Sequence, residues 1–498
     1  MCKTENYSYS VMKSIIYSVL LLLILSSCTE EPSNVSIINE PAPIFPDYAG
    51  VTVPVDIAPL NFNVIAEGTE LVSVNIHGEN GENMRVNGKY AKFDIDQWHS
   101  LLSKNKGAQL TVSVQAKIKG KWYLYDSFNI HVSQYPLDEW GVTYRRIAPS
   151  YEVYSLLGLY QRNLTNFEES VIIDNKNTRG MCLNCHTSNQ TNPSQFVFHV
   201  RGEHGATMIQ QDGSREWLQS SNGTLGGSMV YPYWHPSGDY CAFSTNRTNQ
   251  GFHIGMSKRI EVFDYSSDVF VYNTKTHEIL MDSLLSSTQY AENCPVFSPD
   301  GKKLYFISSY QQDYPSDFKS QRYNLCSIDF NPADGTFGNK VDTLFNAAAR
   351  GKSLTWPKPS YDGRFLLFTL IDYGYFSIWH KESEQWLMDL ETGEAHPITE
   401  INSKDADSYH NWNSNSRWIV FTSRRDNGLY SQLFIASIDE NGKATKPFLL
   451  PQKNPLEYYD ETFYSFNTPD FTQEKVTFDA KSAFKEIVSD VRTSTHVK

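Results

Sequence analysis

The sequence predicts an all-β chain in which an N-terminal immunoglobulin-like β-sandwich is followed by a β-propeller. Three observations carry that expectation. Short runs rich in Val, Ile, Thr and Tyr alternate apolar with polar residues from Val51 onward, as strands with one buried face do. A phrase made of an aromatic or Pro lead-in, a tight turn and an apolar strand recurs beyond residue 220, and repetition at such a period marks stacked supersecondary units. The chain has 498 residues, 40% hydrophobic and 20% charged, which describes a folded protein too long for one core.

In chain order, the first element is a targeting segment. Lys13 precedes an apolar run over residues 15–25, the length of a secretory h-region and short of the roughly 20 residues a membrane span needs. It ends in Leu25-Ser26-Ser27-Cys28, which resembles the lipobox of bacterial lipoproteins. That resemblance implies a signal peptide over 1–28, acylation of Cys28 and a body held outside the cytoplasm, on the periplasmic side of the outer membrane or on the cell surface. Residues 29–48, with Glu, Pro, Ser and Asn, read as a tether.

Residues 49–135 are expected to form the sandwich. Val51, Val53, Val55 and Ile57 alternate, Leu71-Val72-Ser73-Val74-Asn75-Ile76 follows, and Leu110-Thr111-Val112-Ser113-Val114 leads through a Lys119-Gly120-Lys121 turn into Trp122-Tyr123-Leu124-Tyr125. Short strands at this spacing fit an immunoglobulin-like fold. No cluster of catalytic residue types falls in it, so its expected role is to space or to dock.

Residues 136–225 are read as a segment bearing a C-x-x-C-H motif plus the first blade, and 226–490 as the propeller repeats. Four copies are clear: "YWHPSGDYCAFST" (233–245), "VFSPDGKKLYFIS" (296–308), "KPSYDGRFLLFTL" (358–370) and "NWNSNSRWIVFTS" (411–423), with a weaker one, "FNTPDFTQEKVTF", at 466–478. Each clear copy turns at Gly238, Gly301, Gly363 or Ser416 and runs on to Phe243, Phe306, Phe368 or Phe421. These turns lie 63, 62 and 53 residues apart, long for a four-stranded blade but within reach of one with insertions. Six blades is the count this spacing favours, seven the alternative.

The copy at 296–308 resembles the repeats of TolB-type periplasmic propellers and of the propeller domains of prolyl-oligopeptidase-like enzymes. As a whole the chain resembles TolB-like lipoproteins of the Bacteroidetes type. The resemblance covers about 220–480 and implies architecture more than activity, with Pro-Asp-Gly building turns. The hydrolase half of the enzymes is missing: the sequence holds no G-x-S-x-G elbow, and likewise no P-loop, H-E-x-x-H or EF-hand loop. The chain therefore reads as a binding or redox protein rather than an enzyme.

The motif that carries chemistry is Cys182-Leu183-Asn184-Cys185-His186. Two thiols three apart and an adjacent imidazole are what covalent haem c attachment requires: the sulfurs add to the two vinyl groups and the His ligates iron. Attachment takes place outside the cytoplasm, where the signal sends the chain. His204, on a Gly-flanked turn, is the favoured sixth ligand, with a bystander His equally compatible. Zinc is the rival, since Cys182, Cys185, His199 and His204 fit a metal-site spacing, although "FVFHVRGEHGATMI" alternates like a strand rather than a finger helix. A Cys182–Cys185 disulfide, or no cofactor, is the third reading. Setting Cys28 aside, five cysteines remain in the body, so at least one is a free thiol.

A formal net charge of −13 without a Lys/Arg run excludes a nucleic-acid partner on electrostatic grounds. The expected partners are the membrane, through Cys28, and an envelope protein or redox partner. Two functions follow: a lipid-anchored carrier of one c-type haem, or a non-catalytic interaction scaffold of the cell envelope with a structural Cys pair or zinc site.

Overall fold

A computed structural model describes residues 30–148, 156–219, 225, 227–253 and 258–498. The signal segment and Cys28 lie outside the described residues.

Six sheets, each with four antiparallel strands, form a six-bladed propeller, and in blade 3 His496–Val497 adds a fifth, parallel strand at the outer edge. Blade 1 is assembled from both ends of the domain: Ser465–Thr472 is its innermost strand and pairs with Gly141–Ile147, followed by Leu157–Asn163 and Glu169–Asp174. Blades 2 to 6 start from Cys182–Asn189, Ser228–Trp234, Tyr290–Phe297, Ser353–Pro359 and Asp407–Trp412, and successive first strands are neighbours around the ring. The stretch read as one blade before residue 226 thus supplies strands to two, and the weak repeat at 466–478 builds no blade of its own. It closes blade 1, so the count of six stands. Blade interiors are apolar: Phe243, Phe306, Phe368 and Phe421, the repeat phenylalanines, are all buried, and the clusters run from blade to blade.

The repeat turns join adjacent blades. Gly238, Gly301 and Gly363 have φ of +75°, +70° and +75°, a region where Gly is the residue without a Cβ penalty. His235 Nδ1 accepts from the Ser237 N–H at 3.1 Å, which leaves Nε2–H to donate to the Gly301 carbonyl at 3.1 Å, blade 3 to blade 4. Gln211 Nε2 donates to the Gly238 carbonyl, blade 2 to blade 3, and Ser416 Oγ accepts from the Asp362 N–H, blade 6 to blade 5.

The N-terminal unit is β-rich, with a two-stranded sheet of Ile44–Phe45 and Asn63–Val64 beside a larger one. Seven strands form one sheet that forks at Gln109–Ile118: one half of that strand pairs with Lys121–Asp126, the other with Phe128–Val132. The Lys119-Gly120 turn, with both φ positive, is a hairpin turn matched to strand twist. A helix, α1 (Ile95–Lys104), packs on this sheet. Asp94 caps it by accepting from the Gln97 N–H, and Trp98, Leu101 and Leu102 are buried at helical spacing. That period was present in the sequence and unread.

One apolar cluster spans the N-terminal unit and blades 6 and 1, joining Val53 and Leu60 to Val420, Ile435, Phe448 and Phe466. Tyr48 donates to the Leu449 carbonyl and Asn61 to those of Gln452 and Lys453. At the other end of the chain, α3 (Ala480–Val488), which follows α2 (Pro455–Glu461), packs Ala483 and Ile487 on blade 2, where Glu486 accepts from Arg215 and from Trp217 Nε1 at 2.8 Å. No helix among the described residues is long and apolar enough to cross a membrane.

A Cβ at Gly301 would lie 2.1 Å from His235 Nε2, whereas one at Gly363 meets nothing within 4 Å. Gly363→Ala should therefore cost about 1 kcal/mol, the left-handed penalty alone. Gly301→Ala should cost about 3 kcal/mol, with the overpacking added, and urea denaturation of the two variants measures the difference.

Candidate functional site at the propeller axis

Each innermost strand carries a bulge at the same level, in which two residues oppose one on the next strand. The first of each pair lies in the left-handed region: Thr468, Cys185, Tyr231, Cys294, Trp356 and Tyr409, with φ between +46° and +53°. The ladder skips there in every blade, and the residue opposite is Tyr144, Phe198, Phe243, Phe306, Phe368 or Phe421. A bulge leaves its extra residue out of the ladder and re-aims side chains. Pro suits the second position because it has no N–H to leave unpaired, and Pro469, Pro232, Pro295 and Pro357 occupy it. In blades 2 and 6 the position holds His186 and His410.

The C-x-x-C-H motif is therefore the inner strand of blade 2. Cys185 corresponds to Cys294, and the preceding Asn184 and Asn293 accept from the N–H of Cys185 and Cys294 at 2.8 and 2.9 Å.

One step further along the strands of blades 1, 2, 5 and 6 is a polar floor, formed by Asp470, Thr187, Lys358 and Asn411. Asp470 Oδ2 accepts from Thr187 Oγ1 at 3.0 Å and the Ser188 N–H at 2.9 Å, and Oδ1 from Asn411 Nδ2 at 2.6 Å. Blades 6, 1 and 2 are thereby tied together. Lys358 of blade 5 sits 4.7 Å from the Tyr233 ring centroid, and burial pulls its pKa down against the opposing charge of Asp470.

The bulge ring and floor wall a cavity of about 190 Å³ at the end where the inner strands begin. Arg424, Arg145 and Arg201 line it from the adjacent blades 6, 1 and 2, and Trp356, Tyr409, Tyr231, Tyr375 and Trp379 from blades 3, 5 and 6. Trp356 packs edge-on against Tyr409 at 4.7 Å and Tyr231 at 5.5 Å. Arg424 lies 3.1 Å over the Trp379 ring, its Nε has no partner, and burial lowers its pKa to about 9.

Cys182, Cys185 and His186 all line this cavity. Both cysteines are buried free thiols; Cys182 Sγ accepts from Arg145 Nη2 at 3.4 Å, and burial raises the pKa of Cys185. His186 is buried and neutral: loss of hydration, with Arg145 nearby, takes its pKa down to about 3. The Thr143 carbonyl favours its charged form, but neither ring nitrogen has a well-formed hydrogen bond. His199 and His204 are elsewhere. His199 Nδ1 bonds Thr207 Oγ1 at 2.9 Å within the blade 2 sheet, and His204 Nδ1 bonds Asp490 at 2.9 Å on the turn facing the C-terminal segment. Among the described residues no three His, Cys, Asp or Glu side chains converge as a metal site. The residues that sequence reasoning missed are the three arginines, Lys358, Trp356 and Tyr409. Aligning the inner strands on their Pro or His would have flagged the residue before it in every blade.

No family model matches the chain, and no curated protein matches it. Among solved structures it is similar to TolB from Acinetobacter baumannii, with 13% identity over 76% of this chain and 86% of that one and a TM-score of 0.44. It is also similar to an oligogalacturonate lyase in complex with manganese, with 12% identity over 62% and 74% and a TM-score of 0.35. A puromycin-hydrolysing peptidase of Mycobacterium tuberculosis matches with 12% identity over 70% and 52% and a TM-score of 0.38.

Beside the axis, between blades 3 and 4, are two buried carboxyl groups. Asp264 Oδ2 accepts from Asn246 and Asn293 while Oδ1 has no partner, and Glu292 Oε2 has none. Burial raises both pKa values to about 8. A folded pKa above the unfolded value of about 4 means the native state holds extra protons between them, so stability falls as pH rises through that window. The slope is up to about 1.4 kcal/mol per pH unit per group. Denaturation midpoints should drop from pH 5 to pH 8, and Asp264→Asn with Glu292→Gln should flatten that dependence.

Proposed function

We propose that the protein is a non-catalytic binding scaffold of the cell envelope, anchored through acylated Cys28, with recognition at the axial cavity and Cys182 and Cys185 as structural residues of blade 2. The observation that carries this reading is the correspondence of the C-x-x-C-H strand with the other five inner strands, bulge for bulge. A residue pair whose backbone role is shared by Cys294-Pro295 and Tyr231-Pro232 is accounted for by the fold. The convergence of side chains from several blades on one cavity supports recognition there, as concave sites with a few placed polar groups do.

A second reading, covalent haem with His186 as iron ligand, is favoured by the two unpartnered ring nitrogens of His186 beside Cys185. The cavity volume, about 190 Å³, is nearer the ~150 Å³ that takes up a single benzene ring than a space shaped for a porphyrin, which favours the scaffold reading over haem. His204, its expected sixth ligand, bonds Asp490 away from the cavity. Zinc fares no better, since His199 and His204 are absent from the cavity wall and Cys185 is held as a thiol.

Protein produced in a host with haem c maturation should be colourless. A Soret band that survives acid-acetone extraction would overturn the scaffold reading in favour of haem. For the anchor, Cys28→Ala should move the protein from the membrane fraction to the soluble fraction, and an unchanged distribution would reject acylation at that residue.

A further inference from the structure

The charge in the axial cavity is unbalanced. Among the described residues its lining carries four cationic side chains, Arg145, Arg201, Lys358 and Arg424, against one carboxylate, Asp470, and both oxygens of that carboxylate are already engaged by blades 2 and 6. Five arginines elsewhere in the fold are matched with a carboxylate: Arg146 with Glu169, Arg215 with Glu486, Arg364 with Asp389, Arg417 with Asp362 and Arg425 with Asp407. The fully buried Arg162, which has no carboxylate, donates instead to the carbonyls of Asn163, Asn166 and Pro451. None of Arg145, Arg201 and Arg424 forms an ion pair among the described residues. Arg145 Nε donates to the Leu183 carbonyl, whereas Arg201 has no hydrogen-bond acceptor among them. Arg424 is buried with its Nε unpartnered, and Arg145 reaches, among the described residues, only the Leu183 carbonyl and Cys182 Sγ; guanidinium charge left without a counter-charge in a cavity wall is costly, and its grouping on three adjacent blades marks a position shaped for an anion. Arg is the side chain suited to carboxylate and phosphate because its fork of N–H donors engages two oxygens at once.

We propose that the axial cavity binds a small anionic ligand with one ring, its carboxylate or phosphate held by Arg424, Arg145 and Arg201 and its ring packed against Trp356 and Tyr409. The inference rests on the scaffold reading and names the ligand class of the same cavity. Both halves follow from geometry. The volume, about 190 Å³, admits one ring, and aromatic and cationic side chains line the same space. His186 adds an unpartnered nitrogen for a ligand hydroxyl or amide.

The test uses the full chain purified in detergent and isothermal titration with benzoate, phenyl phosphate, benzyl alcohol and inorganic phosphate. Benzoate or phenyl phosphate should bind at least tenfold more tightly than benzyl alcohol and than inorganic phosphate, and which of the two is tighter identifies the head group. Arg201→Met and Arg424→Met should each weaken the anion at least tenfold. Removing an unpaired buried charge should leave the thermal midpoint of the ligand-free protein unchanged or raised, which separates lost binding from lost folding. Equal affinity for benzyl alcohol, equal affinity for inorganic phosphate, anion binding that survives both substitutions, or no binding of any probe would each overturn the inference. The scaffold reading fails on a different readout, the Soret band.

Discussion

Six strands brought side by side around one axis have to stop their side chains from colliding at the centre, and the left-handed bulge in each inner strand is how this chain does so. The bulge turns one residue per blade out of the ladder, from Thr468 through Tyr409, so the axis holds a cavity instead of a packed plug. It also sets residue type. A position with no ladder partner tolerates Pro, which explains Pro232, Pro295, Pro357 and Pro469. The aromatic opposite each bulge, Tyr144 or one of five phenylalanines, fills the space that the displaced pair vacates. The repeat visible in the sequence is the record of this one constraint.

That repeat was legible where it used the commonest chemistry. Pro-Asp-Gly and its relatives announce a turn through Gly, and blades 3 to 6 were readable because a Phe follows at fixed distance. Blade 2 makes the equivalent turn with Gln190 and Thr191, both at positive φ, and neither residue type advertises that conformation. Blade 1 hides its inner strand some 320 residues downstream of its second, since Thr143 pairs with Asp470, and closure of this kind leaves no local mark. The C-x-x-C-H motif was legible as a motif, and its place as the inner strand of blade 2 was not. Cys185 and His186 stand where blades 3, 4 and 5 place an aromatic or Cys and then Pro, a correspondence that only register displays. The basic arc was invisible for a similar reason: Arg145, Arg201 and Arg424 are far apart in sequence and are united by topology alone.

Apolar seams between blades, not ion pairs, hold the ring, and this shapes what the cavity tolerates. Clusters such as the one joining Leu325, Leu354, Leu366 and Phe368 bury large areas at roughly 25 cal/mol per Å², which offsets unfavourable terms elsewhere. The fold carries two kinds of such terms. Asp264 and Glu292 avoid the cost of buried charge by holding protons. Guanidinium groups lack that route at neutral pH, so the arginines keep their charge and its cost. A strained, under-satisfied cluster persists only where the surrounding packing over-determines it.

The seam that most needs reinforcement is the one between blades 6 and 1, because there the ring is closed by chain ends. Ser465–Thr472 reaches blade 1 after the turn of the whole propeller, and a missed closure opens the cavity at Asp470. The N-terminal unit sits on this seam. Its core is continuous with Val420, Ile435 and Phe466, and the connection that follows it is fastened to the blade 6 turn: the Asn413 and Asn415 amides donate to the Leu137 and Pro136 carbonyls, Trp418 Nε1 to Pro136, and the Ser414 N–H to Glu139 at 2.6 Å. These contacts link residues about 280 positions apart in sequence, so forming them constrains closure as a staple would. Blades 6 and 1 also carry Arg424 and Arg145. The unit nearest the proposed anchor thus braces the two blades whose relative position sets the spacing of the basic arc, and the rigidity of the site is built from outside the ring.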